Sequence, residues 1–143
     1  MLNLPRFFRI ILQNFFTMNT RMVIGALIGV GVLVQIAIGE SGFAAGSLQL
    51  VHAAIGILGI FVVGAYLATG RVSRVVTALT AVVLLVTLTQ VAMGMGLMRW
   101  VDLGIGQGAL EESHRGTAYI LLVLGLVVSL VAAIQRRKAE KKP

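Results

Sequence analysis

The chain contains no cysteine, and only 12% of its 143 residues are charged. The missing thiols exclude disulfide bonds, thiolate metal sites, covalent c-type haem attachment and iron–sulfur clusters. The scarcity of charge accompanies 58% hydrophobic residues, which excludes an ordinary soluble domain of this length. The composition therefore indicates one compact membrane bundle without a separate soluble domain.

Four apolar stretches are each close to the length of about 20 residues that a helix needs to cross a bilayer. They cover approximately residues 22–39, 48–69, 75–98 and 117–134. We therefore predict an all-α integral membrane four-helix bundle over residues 22–134, followed by a basic tail over residues 135–143.

The segment before the first span has a different pattern. Over residues 1–21, leucine, isoleucine and phenylalanine recur at helical spacing between arginine, glutamine and asparagine. This pattern is typical of an amphipathic helix that lies in the membrane interface rather than crossing it. We predict an interfacial segment here, which could anchor the chain or dock on a neighbouring subunit.

Basic residues predict the orientation of the bundle. Most of them precede the first span, lie between spans two and three, or follow span four: Arg6, Arg9, Arg21, Arg71, Arg74, Arg136, Arg137, Lys138, Lys141 and Lys142. By the positive-inside rule, both termini are cytoplasmic and the protein is a multi-pass protein of the cell membrane. The net charge of +7 then reflects topology and attraction to anionic lipid rather than nucleic-acid binding.

The two histidines, His52 and His114, lie near the outer ends of spans two and four, which this topology makes parallel. An ionisable side chain within a membrane span is costly and usually marks function. Two imidazoles at similar depth on diagonal helices match the need of a bis-histidine haem, so we predict that both bind the iron of a b-type haem. Two plainer interpretations remain open: His52 bonds to Gln35 or Gln90, and His114 belongs to a polar helix start.

A weak internal repeat supports a duplicated two-helix hairpin. Gln35 and Gly39 on span one match Gln90 and Gly94 on span three at one common offset, and the offset between the two histidines is slightly longer. Each half therefore consists of a Gln-x-x-x-Gly helix followed by a histidine helix. We count Gln35 and Gln90 as candidate cofactor-binding residues.

Glycines on the predicted face of His52 have two interpretations. Gly56 and Gly59 share that face because they lie one and two turns beyond the histidine. They could leave room for a flat porphyrin, and they are candidate cofactor-binding residues on that basis. They could equally allow close helix packing in small-xxx-small patterns.

Two motifs resemble those of the haem A synthase family, whose members consist of two fused four-helix bundles with a histidine pair in each. The run Leu88–Gly94 looks like the Gln-x-x-x-Gly run of the family's odd-numbered helices, and Glu111–Arg115 is similar to its Glu-x-x-His-Arg motif. The resemblance implies haem ligation by His52 and His114 and a catalytic role for Glu111 in oxidising a substrate haem. Arg115 completes the motif and is a further candidate cofactor-binding residue.

The chain departs from this family in several features. The His-Arg pair lies on span four rather than span two, alanine follows His52, the outer cysteine pair is missing and only one bundle is present.

Three functions therefore remain open. The first is a small b-type cytochrome that exchanges electrons with a quinone or oxidase subunits. The second is a haem-modifying oxidoreductase resembling haem A synthase, and the third is a cofactor-free accessory subunit of a respiratory or photosynthetic complex. The glycine faces also make a homo-oligomer or a larger membrane complex plausible.

Overall fold

The computed structural model describes residues 20–41, 46–68 and 73–140. Four α-helices make up most of these residues: α1 (Thr20–Glu40), α2 (Ser47–Ala68), α3 (Arg74–Leu97) and α4 (Gln107–Glu140). Each helix is long and apolar enough to cross a membrane. The described part of the chain contains no β-strand, so the predicted all-α fold with four membrane-spanning helices is confirmed. The predicted interfacial segment, apart from its last two residues, lies outside the described residues.

The helices form a closed ring in chain order. α1 packs on α2, α2 on α3, α3 on α4, and α4 returns to α1. α2 and α4 therefore occupy opposite corners of the bundle, as do α1 and α3. We call the end where the chain passes from α1 to α2 and from α3 to α4 the histidine end, because both histidines lie near it.

The aliphatic core lies towards the other end of the bundle. Its buried members are Val63, Val76, Val83, Leu121 and Val128. Many large apolar side chains on the outer faces are exposed instead, including Phe61 at 69%. Because lipid is as apolar as a side chain, such outer faces are expected of helices that meet a bilayer.

Each histidine lies on the inward face of its helix. On α2 the residues at helical spacing after His52 include Val63 and Tyr66, which are buried. On α4 the corresponding face carries His114 between the buried side chains of Leu110 and Leu121. The spacing of about 3.6 residues per turn therefore turns both histidines towards the bundle axis.

α4 begins earlier than the hydropathy pattern predicts. Its first residue is Gln107, whereas the apolar stretch begins near Thr117. The polar residues Glu111, Glu112 and Ser113 lower the hydropathy of the intervening turns without breaking the helix. The interpretation of His114 as part of a polar helix start is therefore wrong, because the histidine lies seven positions after the first helical residue.

The start of α4 is fixed against α3 at Gly96. A Cβ atom at this position would lie 2.8 Å from Leu103 Cδ1 and 2.9 Å from Leu110 Cδ2. The side-chain amide of Gln107 also donates a hydrogen bond of 3.3 Å to the Gly96 carbonyl. Glycine thus permits the close approach that sets the height of His114 relative to α3.

Candidate functional site: a histidine pair between diagonal helices

The two imidazole rings meet across the interior of the bundle. The ring centroids of His52 and His114 are 6.1 Å apart, and their planes are inclined at 62°. Both side chains are partly buried. The two histidines, predicted to lie at similar depth on parallel helices, thus bring their rings close together from opposite corners of the ring of helices.

A glutamine from the preceding helix holds the backbone of each histidine. Gln35 Nε2 donates a hydrogen bond of 2.8 Å to the carbonyl oxygen of His52, and Gln90 Nε2 donates one of 2.8 Å to that of His114. A helical carbonyl has a second lone pair that can accept such a bond in addition to its helical one. The bond from Gln35 agrees with the alternative that His52 bonds to a glutamine, here through its backbone. The role of both glutamines at a cofactor stays a prediction.

The glycine of each Gln-x-x-x-Gly run faces a histidine ring. A Cβ atom on Gly39 would lie 3.8 Å from His52 Cε1, and one on Gly94 would lie 3.6 Å from His114 Cε1. The repeat therefore has a structural explanation: the glutamine bonds to the histidine carbonyl, and the glycine one turn later lies beside the imidazole ring. The repeat itself was the sequence signal for this arrangement.

Gly56 and Gly59 contact the neighbouring helices. A Cβ atom on Gly56 would lie 3.0 Å from Gln35 Nε2, so the missing side chain makes room for the glutamine that bonds to His52. A Cβ atom on Gly59 would lie 3.9 Å from Thr87 Cγ2 on α3. These contacts correspond to the helix-packing interpretation of the two glycines.

An ion pair closes the α1–α4 side of the site. The Arg115 guanidinium donates two hydrogen bonds to the Glu40 carboxylate, at 2.8 and 2.7 Å, and Tyr119 Oη donates a third at 2.9 Å. Both ionic side chains are partly exposed, at 65% for Arg115 and 37% for Glu40. Arg115 was predicted to bind the cofactor, but no sequence pattern predicted its partner Glu40, which lies 75 positions away.

Glu111 lies on α4 one turn before His114 and is exposed. Its position relative to the histidine follows from the helix, since residues three apart lie on neighbouring parts of one face. The catalytic role implied by the family resemblance stays a prediction.

The described residues contain no group of three or more histidine, cysteine, aspartate or glutamate side chains that could hold a metal ion. A structural zinc site normally has four protein ligands and a catalytic one three, so the histidine pair does not resemble either. The two imidazoles could supply two nitrogen ligands, so a metal held between them would need its other ligands from another group.

Two polar atoms at the site are buried and have no hydrogen-bond partner among the described residues. They are His114 Nδ1 and Gln35 Oε1. Burying a polar atom without a partner costs free energy, so atoms of this kind are expected to interact with a ligand or water.

No protein-family model, curated protein or solved structure matches this chain.

Proposed function

We propose that this chain is a membrane haem protein in which His52 and His114 would together hold one haem iron. The distance of 6.1 Å between the ring centroids carries the proposal. When two imidazoles bind one metal from opposite sides at about 2.0–2.1 Å each, their ring centres are about 6–6.5 Å apart. The pair therefore has the separation that a single metal ion between the rings requires.

The surroundings of the rings also suit a porphyrin. A flat group between histidines on α2 and α4 must extend towards α1 and α3, and these helices present Gly39 and Gly94 at the histidine rings. The buried Nδ1 atom of His114 has no hydrogen-bond partner among the described residues, so no hydrogen bond through that atom holds the ring in another orientation. These two observations support the fit of a haem b or a related haem.

In this proposal the chain orients and shields the cofactor. Gln35 and Gln90 fix the height and rotation of the histidine helices through the carbonyl bonds. The apolar bundle provides a low-dielectric environment, and the haem iron supplies a one-electron redox couple. The function is electron transfer to or from a quinone or oxidase subunits, or participation in the assembly of a respiratory complex. The exposed apolar helix faces contact lipid and can also accept a second copy or a larger complex.

The proposed location is the cell membrane, with both termini in the cytoplasm and the histidine pair near the outer face. The support comes from charge: the basic residues Arg74, Arg137 and Lys138 lie at the end of the bundle opposite the histidines. Positive charge on the cytoplasmic side is the strongest sequence determinant of orientation.

The absorption spectrum of the purified protein tests the proposal. We expect a low-spin spectrum with a sharp α-band after reduction, at one haem per chain. The low-spin spectrum should be lost in both His52→Ala and His114→Ala and retained in Ser129→Ala, a control on the exposed face of α4. A colourless wild-type protein, or a low-spin spectrum that survives either histidine substitution, would refute shared ligation and favour a cofactor-free accessory subunit.

A second candidate function is a haem-modifying oxidoreductase that resembles haem A synthase. The motif Glu111–Arg115 supports it. Glu111 is exposed and lies one helical turn before His114, whose ring is close to that of His52. Production of haem A in a host that makes haem O but lacks its own synthase would support this function. The activity should be lost in Glu111→Gln and retained in Glu112→Gln, which changes the neighbouring exposed glutamate. Unchanged activity of Glu111→Gln would exclude the glutamate's role.

A further inference from the structure

The two histidines are equivalent in the internal repeat, but their surroundings are different. We propose that His114 is the permanent axial ligand and that His52 is an exchangeable one, so that a small external ligand binds the iron on the α2 side. This inference rests on the proposed haem function. It follows from three comparisons between equivalent positions of the repeat, with α2 aligned to α4 on the histidines and α1 aligned to α3 on Gln35 and Gln90.

The first comparison concerns the glutamines. Gln90 Nε2 binds the Thr117 hydroxyl as well as the His114 carbonyl, and the Thr117 hydroxyl in turn donates to the carbonyl oxygen of Ser113. The residue equivalent to Thr117 on α2 is Ile55, which has no hydroxyl to offer Gln35. The glutamine that holds His114 is therefore better fixed than the one that holds His52.

The unsatisfied atom of Gln35 points to the same difference. Its Oε1 atom is buried and accepts no hydrogen bond from the described residues. A buried acceptor without a donor costs free energy, whereas a bound protic ligand or water would remove that cost. Gln35 Oε1 can therefore accept a hydrogen bond from such a ligand on the α2 side.

The second comparison concerns the ion pair. Arg115 follows His114 directly, and its two hydrogen bonds to Glu40 tie this turn of α4 to the end of α1. The equivalent positions at the α2–α3 contact are Ala53 and Met95, which cannot form an ion pair. Movement of His114 away from the centre of the bundle would break these charged hydrogen bonds, and the repeat has no charged pair at the equivalent positions beside His52.

The third comparison concerns side-chain volume. One and two turns after His52 the inward face of α2 carries Gly56 and Gly59, whereas the equivalent positions after His114 are Ala118 and Leu121. Leu121 is buried at 9% exposure and belongs to the aliphatic core. At these equivalent positions the helix of His114 is therefore packed by larger side chains than the helix of His52.

Carbon monoxide and the two histidine variants test the proposal. We expect the reduced wild-type protein to bind carbon monoxide, because the gas replaces His52. His52→Ala should keep its haem in a high-spin, five-coordinate form and give the same carbon monoxide spectrum as the wild type. His114→Ala should lose haem, with an affinity at least about tenfold below that of His52→Ala, which is the effect expected of one or two hydrogen bonds.

A pair of reciprocal substitutions provides a test that does not remove a ligand. Ile55→Thr gives Gln35 the hydroxyl that Gln90 already has, so it should slow carbon monoxide binding to the reduced protein. Thr117→Ile removes that hydroxyl and should weaken haem retention. Equal haem affinity of the two alanine variants, higher affinity of His114→Ala, or failure of a haem-bound wild type to bind carbon monoxide would overturn the inference while leaving shared ligation intact. A wild-type protein without haem would overturn both proposals.

Discussion

The side-chain amide of Gln90 on α3 donates a hydrogen bond of 2.8 Å to the carbonyl oxygen of His114 on α4. The same bond joins Gln35 on α1 to His52 on α2, also at 2.8 Å. Both hairpins of the bundle therefore contain the same interaction. A glutamine side chain bonds to the backbone carbonyl of a histidine, and this bond does not involve the imidazole ring.

The first prediction concerns the bond between glutamine and the histidine carbonyl in the protein without haem. Gln90→Leu removes the bond to His114 and leaves the Thr117 hydroxyl without its amide partner. Hydrogen bonds between membrane helices contribute about 0.6 kcal/mol on average and at most about 1.7 kcal/mol, so we expect a loss of about 1 kcal/mol in the free energy of unfolding. Unfolding in mixed detergent micelles measures this loss.

The neighbouring substitution Thr89→Val is the matched control. The Thr89 hydroxyl is exposed and bonds only within its own helix, to the Leu85 carbonyl at 3.0 Å. Its removal should leave the free energy of unfolding almost unchanged. Equal losses in Gln90→Leu and Thr89→Val would show that the amide bond across the α3–α4 interface contributes nothing.

The second prediction concerns the glycine that faces the ring of His114. A Cβ atom on Gly94 would lie 3.6 Å from His114 Cε1, which is an ordinary contact distance. Gly94→Ala should therefore retain the low-spin haem spectrum, whereas the branched side chain of Gly94→Leu should displace the imidazole and abolish it. Gly29→Leu serves as the control, because Gly29 is exposed and has open space at its Cβ position. Retention of the low-spin spectrum by Gly94→Leu would contradict this account of the repeat.

The third prediction concerns the ion pair between Glu40 and Arg115. Reversing one charge, in Glu40→Arg, places two cations together between α1 and α4 and should lower the temperature of unfolding. The double reversal Glu40→Arg with Arg115→Glu restores opposite charges, so it should recover most of the loss, and high salt should reduce both effects. Thermal unfolding of the four proteins in detergent forms a double-mutant cycle. Simple additivity of the two single effects would show that the residues do not interact.

The fourth prediction concerns orientation. Because the natural chain has no cysteine, a single introduced thiol reports its own location. Gly106→Cys lies at the histidine end on an exposed residue with open space at its Cβ position, and Lys138→Cys lies at the opposite end. A membrane-impermeant maleimide should label Gly106→Cys in intact cells and should label Lys138→Cys only after lysis. The reverse pattern would place the histidine pair on the cytoplasmic side.

The sequence predicts the number and approximate length of the spans because a bilayer requires apolar runs of nearly fixed length. It is less informative where polar residues enter a helix near the membrane surface. The ten residues from Gln107 to Gly116 belong to α4 although hydropathy excludes them from the predicted span. This part of α4 packs on α3 through the close approach of Leu110 to Gly96, which a hydropathy pattern does not contain.

The histidine pair could be predicted from depth and from the alternation of helix direction, since both follow from topology. The bonding partner of each polar side chain could not, because it depends on the rotation of one helix against another. For this reason the sequence did not predict that Gln35 and Gln90 bond to the histidine carbonyls. The pairing of Glu40 with Arg115 joins the first helix to the last, and no local pattern signals it.

Near-infrared magnetic circular dichroism of the purified wild-type protein, with its haem stoichiometry, tests the central claim most directly, because the technique identifies the axial ligands of low-spin ferric haem. The account predicts one haem per chain with two imidazole ligands, supplied by the two histidines that lie 6.1 Å apart. A haem with any other pair of protein ligands, or a protein that binds no haem, would contradict it.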